Sequence, residues 1–401
     1  MVYLLAIHGK RARYAVDASK RHRHVWAFLQ GVLPAYLRRR FAYRFEPLPI
    51  TEPCLVVSNH VTNWDPFFVG LSVRHAPLFY VASEHLFRMG FLSKLINYLV
   101  APIPRSKAAS GASTVRACLR RLRAGDSICL FAEGDCSWDG KTRPVLPATG
   151  GFVRLMGVPL VTYRIEGGYL TLPRWSSKIR RGAMRGHAVH VYTPQELRAM
   201  TPDDVQAILN QDLFEDAWAR QRTEPIAYRS NARAEHLERA LFLCPACKRI
   251  RNFRTKGNAL FCDCGLTATL DPYGFFENAY PFDTIAAWDA WQQAALHTMD
   301  KLPSFSDGTG TLSEVLSDHT AKRLETGALS MTPDALCCGT HSFPLARIVD
   351  MSMVKTHLLL FSCGGRYFEI RSKDATCLRK YLLAYLHAVS KDQPKEDTTP
   401  C

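Results

Sequence analysis

The chain has 401 residues, 47% of them hydrophobic, and its 51 Lys and Arg exceed 36 Asp and Glu to give a net charge of +15. That length suggests two or three domains, and the charge calls for an anionic partner: nucleic acid, phospholipid headgroups or a phosphate-bearing substrate such as coenzyme A. No run reaches the ~18 to 20 apolar residues of a spanning helix. The short apolar start at Met1 lacks the charged stretch of a signal peptide, and 13 cysteines, several at metal spacing, fit a reducing compartment better than a disulfide framework.

Residues 1–45 read as a basic arm. Lys10, Arg11, Arg13, Lys20, Arg21, Arg23, Arg38, Arg39, Arg40 and Arg44 face a lone Asp17, and Trp26, Leu29, Leu33, Tyr36 and Leu37 fall among them at helical spacing. Such a helix suits a membrane interface, which places the protein peripherally on the cytoplasmic face of the membrane. The alternative is a helix packed on its own domain. Pro34 is expected to kink or divide it.

Residues 46–235 alternate strand-like runs, at Leu55–Val57, Leu78–Val81, Ser127–Phe131 and Val158–Ile165, with helical patterns at Leu86–Val100 and Ser113–Leu122. That alternation predicts an α/β fold with helices on a mixed sheet. A helix over Thr201–Ala219 follows, opened by Thr201-Pro202-Asp203-Asp204 as cap and first turn. The first strand runs into Ser58-Asn59-His60-Val61-Thr62-Asn63-Trp64-Asp65-Pro66. Asp65-Pro66 before Phe67, Phe68, Val69 and Leu71 marks a helix start, and a chain reversal would bring Asp65 back onto His60. A carboxylate on one imidazole nitrogen fixes the tautomer and leaves the other free to take a proton from a hydroxyl.

Three further segments follow in order: Pro102-Ile103-Pro104-Arg105-Ser106, Cys129-Leu130-Phe131-Ala132-Glu133-Gly134 and Gly157-Val158-Pro159-Leu160-Val161. With the His60 to Asp65 block they resemble, over the first half of the chain, the four motifs of the glycerolipid acyltransferase family of the lysophosphatidic acid acyltransferase type. The resemblance implies a glycerolipid-acyltransferase-like mixed sheet. It also implies transfer of a fatty acyl group from acyl-CoA or acyl carrier protein to a hydroxyl of a lysophospholipid, 1-acyl-glycerol-3-phosphate first among them, in phospholipid biosynthesis. His60 would be the general base held by Asp65, with no covalent acyl-enzyme; Arg105 would meet the acceptor phosphate, and Glu133 and Gly134 would belong to the acceptor site. The bland readings are a surface arginine at 105 and a tight turn at Gly134. Ala132, Asp135 and Cys136 depart from the family pattern of proline, threonine and arginine, which points to altered acceptor recognition. Lys141 and Arg143 are candidates for the missing charge.

Cys118, Cys129 and Cys136 read as core or loop residues rather than nucleophiles, since none has a base at motif spacing. His187 and His190, on an alternating stretch, read as structural strand residues rather than a metal pair. The basic run Arg174, Lys178, Arg180, Arg181 and Arg185 reads as a solvated face, with headgroups or donor phosphates as the functional alternative.

Residues 240–275 carry Cys244-Pro245-Ala246-Cys247 and Cys262-Asp263-Cys264-Gly265. Two close cysteine pairs across a short hairpin predict a zinc ribbon, with Cys244, Cys247, Cys262 and Cys264 as four ligands of a structural zinc. Residues 300–390 show short strands, then a helix with Leu378, Tyr381, Leu382, Tyr385, Leu386 and Val389 on one face. This mostly β domain resembles a pleckstrin-homology-like barrel in topology. Residues 391–401 are polar and read as a disordered tail. A nucleic-acid-binding protein would explain the ribbon and the charge. It gives no account of four ordered motifs, so no nucleic acid partner is expected. A membrane scaffold descended from an enzyme is the reading that the altered Glu133 to Cys136 block would favour.

Overall fold

The structure is a computed structural model that describes residues 2–74, 77–83, 91–105, 111–250, 253–278, 281–299, 301–316, 320–372 and 377–392, with side chains of the first helix described from Lys20 onward. The expectations for Leu86 to Gly90, for Ser106 and for residues 393–401 lie outside the described residues. Two compact units emerge: residues 1–173 with 179–228, and residues 174–178 with 229–401.

The first unit opens with α1 (Val2–Phe41) and β1 (Tyr43–Phe45), followed by β2 (Leu55–Ser58), α2 (Asp65–Ser72), β3 (Leu78–Ser83), α3 (Phe91–Val100) and β4 (Ile103–Arg105). The chain continues through α4 (Ala112–Arg123), β5 (Ser127–Phe131), α5 (Thr149–Met156), β6 (Leu160–Glu166), α6 (Gly168–Thr171) and β7 (Met184–Tyr192), and ends in α7 (Pro194–Ala199), α8 (Pro202–Leu213) and α9 (Ala217–Thr223). The seven strands form one mixed sheet in the order β1-β7-β6-β2-β5-β3-β4. Strands β6, β2, β5, β3 and β4 are parallel, β7 runs antiparallel to β6, and β1 pairs parallel with β7.

A parallel sheet covered on both faces explains why its strands read as unbroken apolar runs. Successive side chains alternate between the faces. Val56, Cys129 and Val161 join Phe68, Val69 and Tyr163 in one core cluster. Leu55, Val57, Ile128 and Leu160 join Cys118, Leu122, Val153, Val205 and Leu209 in the other. Each fully buried aliphatic or aromatic side chain contributes about 1.5–3 kcal/mol.

Helix α1 answers both readings of its apolar residues. Trp26, Leu33, Leu37 and Phe41 are buried in the first cluster, so that stripe packs on its own domain. Phe28, Val32 and Tyr36, spaced by four, remain 70, 48 and 44% exposed on a different face. The helix runs unbroken through Pro34, so the division expected there does not occur. The single helix expected over Thr201–Ala219 is two. Thr201 caps α8 in a box with Asp204, but the chain turns at Phe214 because Glu215 and Asp216 dock on the 140–142 segment: Thr142 N–H donates to the Glu215 carbonyl at 2.9 Å and Ala217 N–H to that of Gly140 at 3.0 Å. Asp216 then caps α9 through the N–H groups of Trp218 and Ala219.

In the second unit a three-stranded antiparallel sheet, β8 (Arg254–Lys256), β9 (Ala259–Phe261) and β10 (Thr267–Thr269), precedes α10 (Ile285–His297). Strands β11 (Phe305–Val315), β12 (Ala321–Met331), β13 (Ala335–Cys338), β14 (His341–Pro344), β15 (Ile348–Val354), β16 (Leu358–Cys363) and β17 (Arg366–Ser372) follow, then α11 (Leu378–Asp392). Their antiparallel order is β14-β13-β12-β11-β17-β16-β15, two meanders joined through β11. Helix α11 carries its buried charges in pairs: Lys380 Nζ lies 2.7 Å from Asp307 Oδ1, and Arg379 Nη2 2.7 Å from Asp289 Oδ2. Burying these charges singly would be costly; paired and hydrogen-bonded, they are tolerated.

Candidate active site and cysteine cluster

The site grows from the carboxyl ends of the parallel strands, where open α/β sheets place their ligands. Beyond β2, Asn59 clips the chain to β6: its Nδ2 donates to the Ile165 carbonyl at 2.9 Å and its Oδ1 accepts Ile165 N–H at 2.8 Å. The next residues reverse direction and return as α2. Asp65, fully buried, accepts His60 Nδ1–H at 2.7 Å, Val61 N–H at 2.6 Å, Thr62 N–H at 2.9 Å and the Thr62 hydroxyl at 2.8 Å. Every donor to it lies in the loop it closes, so the same carboxylate shapes the turn and orients the ring. Gly168, just past β6, gives the loop room: a Cβ there would meet Val61 Cγ2 at 2.5 Å.

Beyond β5, Glu133 turns inward. Its Oε1 accepts His60 N–H at 2.6 Å and its Oε2 accepts Arg143 N–H at 2.7 Å. Burial pushes the carboxyl up to about 7, against the pull of those amides. Glu133 thus braces the histidine's backbone. Gly134 follows at φ +75°, where an added Cβ would both strain the backbone and press on Leu146 at 3.0 Å. Phe131 stacks on the His60 ring at 4.6 Å between centroids, inclined by 23°.

His60 keeps 21% of its side chain exposed. Burial on its own would lower the imidazole pKa, but the Cys136 sulfur and the bond to Asp65 outweigh it and hold the ring well above the ordinary histidine range. Cys136 is buried on the turn beyond Gly134, its N–H donating to Asp135 Oδ1 at 3.0 Å. Cys118 and Cys129 are core residues, and burial pushes their thiols up, Cys118 to about 11 and Cys129 beyond the ordinary range.

The other candidate residues are distributed around this centre. Arg105 is exposed at the end of β4, three strands from β2 and roughly 14 Å across the sheet. Lys141 pairs with Asp216 at 3.0 Å, while Arg143 is exposed on the loop that Glu133 holds. The run from Arg174 to Arg185 is no uniform solvated face: Arg180 is buried and Arg185 pairs with Glu166. His187 Nε2 stands 3.9 Å from Glu166 Oε1, and the His190 ring packs on Tyr192. Neither joins a metal-ligating group among the described residues. Asn59, Thr62 and Phe131 escaped the sequence reading because their work is local hydrogen bonding and stacking, which no spacing rule encodes.

In the second unit, the sulfur atoms of Cys244, Cys247, Cys262 and Cys264 all lie within 4.8 Å of one another, those of Cys244 and Cys264 at 3.6 Å. A tetrahedron with ~2.3 Å metal–sulfur bonds has edges of about 3.8 Å, so the four thiols fit a zinc ion. Each pair sits on a tight turn. Cys244 N–H donates to the Arg249 carbonyl at 3.1 Å and Cys262 N–H to that of Leu266 at 2.9 Å. The residue after each second cysteine, Lys248 or Gly265, has positive φ. Backbone amides of Ala246 and Cys247 point at the Cys244 sulfur.

A family model for acyltransferases matches residues 40–166, the segment that holds His60, Asp65, Arg105, Glu133 and Gly134. A chloroplastic 1-acyl-sn-glycerol-3-phosphate acyltransferase of Brassica napus is 26% identical over 136 residues, 33% of this chain and 39% of that protein. The chain thus spans about two fifths of the length of that curated relative. The solved structure of the 1-acyl-sn-glycerophosphate acyltransferase PlsC from Thermotoga maritima aligns with 53% of this chain and 91% of its own, at 19% identity and a TM-score of 0.40.

Proposed function

We propose that the protein is a glycerolipid acyltransferase that moves a fatty acyl group from acyl-CoA or acyl carrier protein to a lysophospholipid hydroxyl, 1-acyl-glycerol-3-phosphate being the first acceptor to test. The observation that carries this reading is the His60–Asp65 pair, closed at 2.7 Å inside the segment the acyltransferase family model covers. The Brassica napus relative, named for that acceptor, supports the choice. His60 acts as general base: Asp65 holds Nδ1–H, and Nε2 takes the proton of the attacking group and returns it to the leaving thiolate. Arg105 receives the acceptor phosphate, a task suited to a planar guanidinium. Glu133 and Gly134 shape the acceptor side through the backbone they hold.

Purified protein given acyl-CoA or acyl carrier protein and a panel of lysophospholipids should release thiol and form diacyl product. His60→Ala should lower kcat/KM by ~10²–10⁴. A folded His60→Ala variant with undiminished turnover overturns the assignment.

The same reading gives the cysteine cluster a structural zinc and the second unit's β-sheet a pleckstrin-homology-like fold, for which the strand order around β11 and the following α11 are the support. It places the enzyme peripherally on the cytoplasmic membrane face. No helix among the described residues is long and apolar enough to cross a membrane. Phe28, Val32 and Tyr36 on α1, with Leu95 and Tyr98 on α3, are large exposed apolar residues, and the last turn of α1 carries Arg38, Arg39 and Arg40, a combination suited to an anionic lipid surface.

A further inference from the structure

Helix α4 follows the edge strand β4 and is tied to it by the Thr114 hydroxyl, which donates to the Pro104 carbonyl at 3.0 Å. Val115, Cys118, Leu119 and Leu122, at helical spacing, turn its inner face into the core cluster. The outer face presents Arg116, Arg120 and Arg123, all exposed, at i, i+4 and i+7, over about 10 Å of helix. Arg121 is used differently: its guanidinium carbon lies 4.0 Å from the centre of the Phe79 ring, and its Nη1 3.5 Å from Asp126 Oδ2. Asp126 is buried and also meets Arg23 at 3.6 Å. Among the described residues no ion pair involves Arg116, Arg120 or Arg123. The surrounding sequence offers little to neutralise them, since between Glu84 and Asp126 it has eight Lys and Arg and no acidic residue.

We propose that this arginine stripe is the docking surface for an acidic acyl carrier protein, so that the carrier-bound thioester, rather than acyl-CoA, is the donor the enzyme is built to take. The inference rests on the acyltransferase reading and chooses between the two donors that reading leaves open. Charge complementarity carries it. Three guanidinium groups in a row along one helix match acidic side chains spread over a similar length of a partner's surface, and such patches steer encounter and fix the docked orientation. A lipid surface fits α4 less well, because binding there also needs apolar side chains to bury. Among the described residues those stand exposed on α1 and α3, and α4 exposes no large apolar side chain. Docking at the rim is compatible with chemistry at the centre of the sheet. A carrier protein presents its acyl group on a long flexible pantetheine arm, and β4 lies three strands, roughly 14 Å, from the strand that leads to His60.

The two donors serve as each other's control. Full-length protein and the triple variants R116E/R120E/R123E and R116Q/R120Q/R123Q are assayed with palmitoyl-acyl carrier protein and, separately, with palmitoyl-CoA, on the same lysophospholipid acceptor. The glutamate variant should raise KM for the carrier-bound donor ~10-fold or more, the glutamine variant by less, and both should keep kcat and KM for palmitoyl-CoA within about twofold, which also reports that they fold. In the wild type, added salt should lower kcat/KM for the carrier-bound donor more steeply than for palmitoyl-CoA, a readout that survives should a variant fail to fold. Four results overturn the proposal while leaving the acyltransferase function standing: wild-type turnover with palmitoyl-CoA alone, carrier kinetics indifferent to charge reversal, an equal rise in KM for both donors, or a loss of binding to anionic vesicles with carrier kinetics unchanged. The last would give the stripe to lipid. No turnover with either donor overturns the acyltransferase reading instead. The stripe is then judged on binding of the palmitoyl-acyl carrier protein alone, where undiminished affinity in the glutamate variant counts against it.

Discussion

At the scale of single residues, Glu133 decides more than its place in a substrate motif suggests. Both carboxylate oxygens are taken by backbone amides, those of His60 and Arg143. Glu133→Ala leaves two half-buried backbone donors without their acceptor, at up to about 1–3 kcal/mol each, and frees the histidine's backbone. We expect kcat to fall steeply with little change in the acceptor KM, together with a lower urea midpoint; a pure KM effect would return Glu133 to direct substrate contact. The folded carboxyl sits near 7, raised by burial from about 4.5. Its favourable linkage is therefore full below about 4.5 and is lost as pH rises toward 7, a swing of roughly 3 kcal/mol that Glu133→Gln should remove from the pH profile of unfolding. His60 is shifted upward as well, against burial, by Cys136 and Asp65. Its imidazolium form should persist above the usual histidine range, and an NMR titration should show the ring pKa dropping in Cys136→Ala, where the largest raising influence is gone. Sequence alone exposed His60 and Asp65 because both sit on one short loop. It left unread that Glu133 accepts the His60 N–H, a contact that arrives through strand pairing rather than spacing.

Secondary-structure elements carry the second set of consequences. Strands β2, β5 and β6 were legible as apolar runs because a doubly covered parallel sheet leaves no polar alternation. Helix breaks were harder to read. The helical pattern beyond Leu213 continues into α9, and what stops α8 is the pairing of the Glu215 segment with the loop after Gly134, a long-range event. The fit between β6 and the histidine loop is equally invisible in sequence. Gly168→Ala should push Val61 aside, costing about 1–3 kcal/mol in stability and reducing kcat by shifting the ring from its partners; thermal melts alongside kinetics will show whether the two move together. The cysteine knuckles make a separate forecast. On the proposal that the four thiols hold zinc, chelation or Cys262→Ser should destabilise the second unit, monitored by tryptophan fluorescence of the Trp288 region, since Phe253 and Phe276 pack on that ring beside β8 to β10. Unchanged melting after complete metal removal would contradict a structural ion.

For the whole molecule, the net charge of +15 pointed to an anionic partner without choosing one. The described part of α1 resolves its residues into two faces that helical periodicity had merged: a buried stripe from Trp26 to Phe41, and the exposed Phe28, Val32 and Tyr36. Phe28→Glu should leave folding intact, since the side chain is 70% exposed, yet weaken sedimentation with anionic vesicles several-fold. Retained binding would move the lipid contact elsewhere. Charge density was legible in composition; which face of the helix remains uncovered depends on tertiary packing.

The bond between Glu133 and residue 143 has an evolutionary corollary. It reaches a main-chain N–H, which every amino acid except proline supplies. The side chain at 143 points outward and carries none of that bond, so it is free to vary. Lineages could therefore exchange charge, size or polarity at that rim and try new acceptors while the histidine beneath keeps its alignment. Substrate range and catalytic competence would then drift on separate clocks, coupled only if proline entered at that one position.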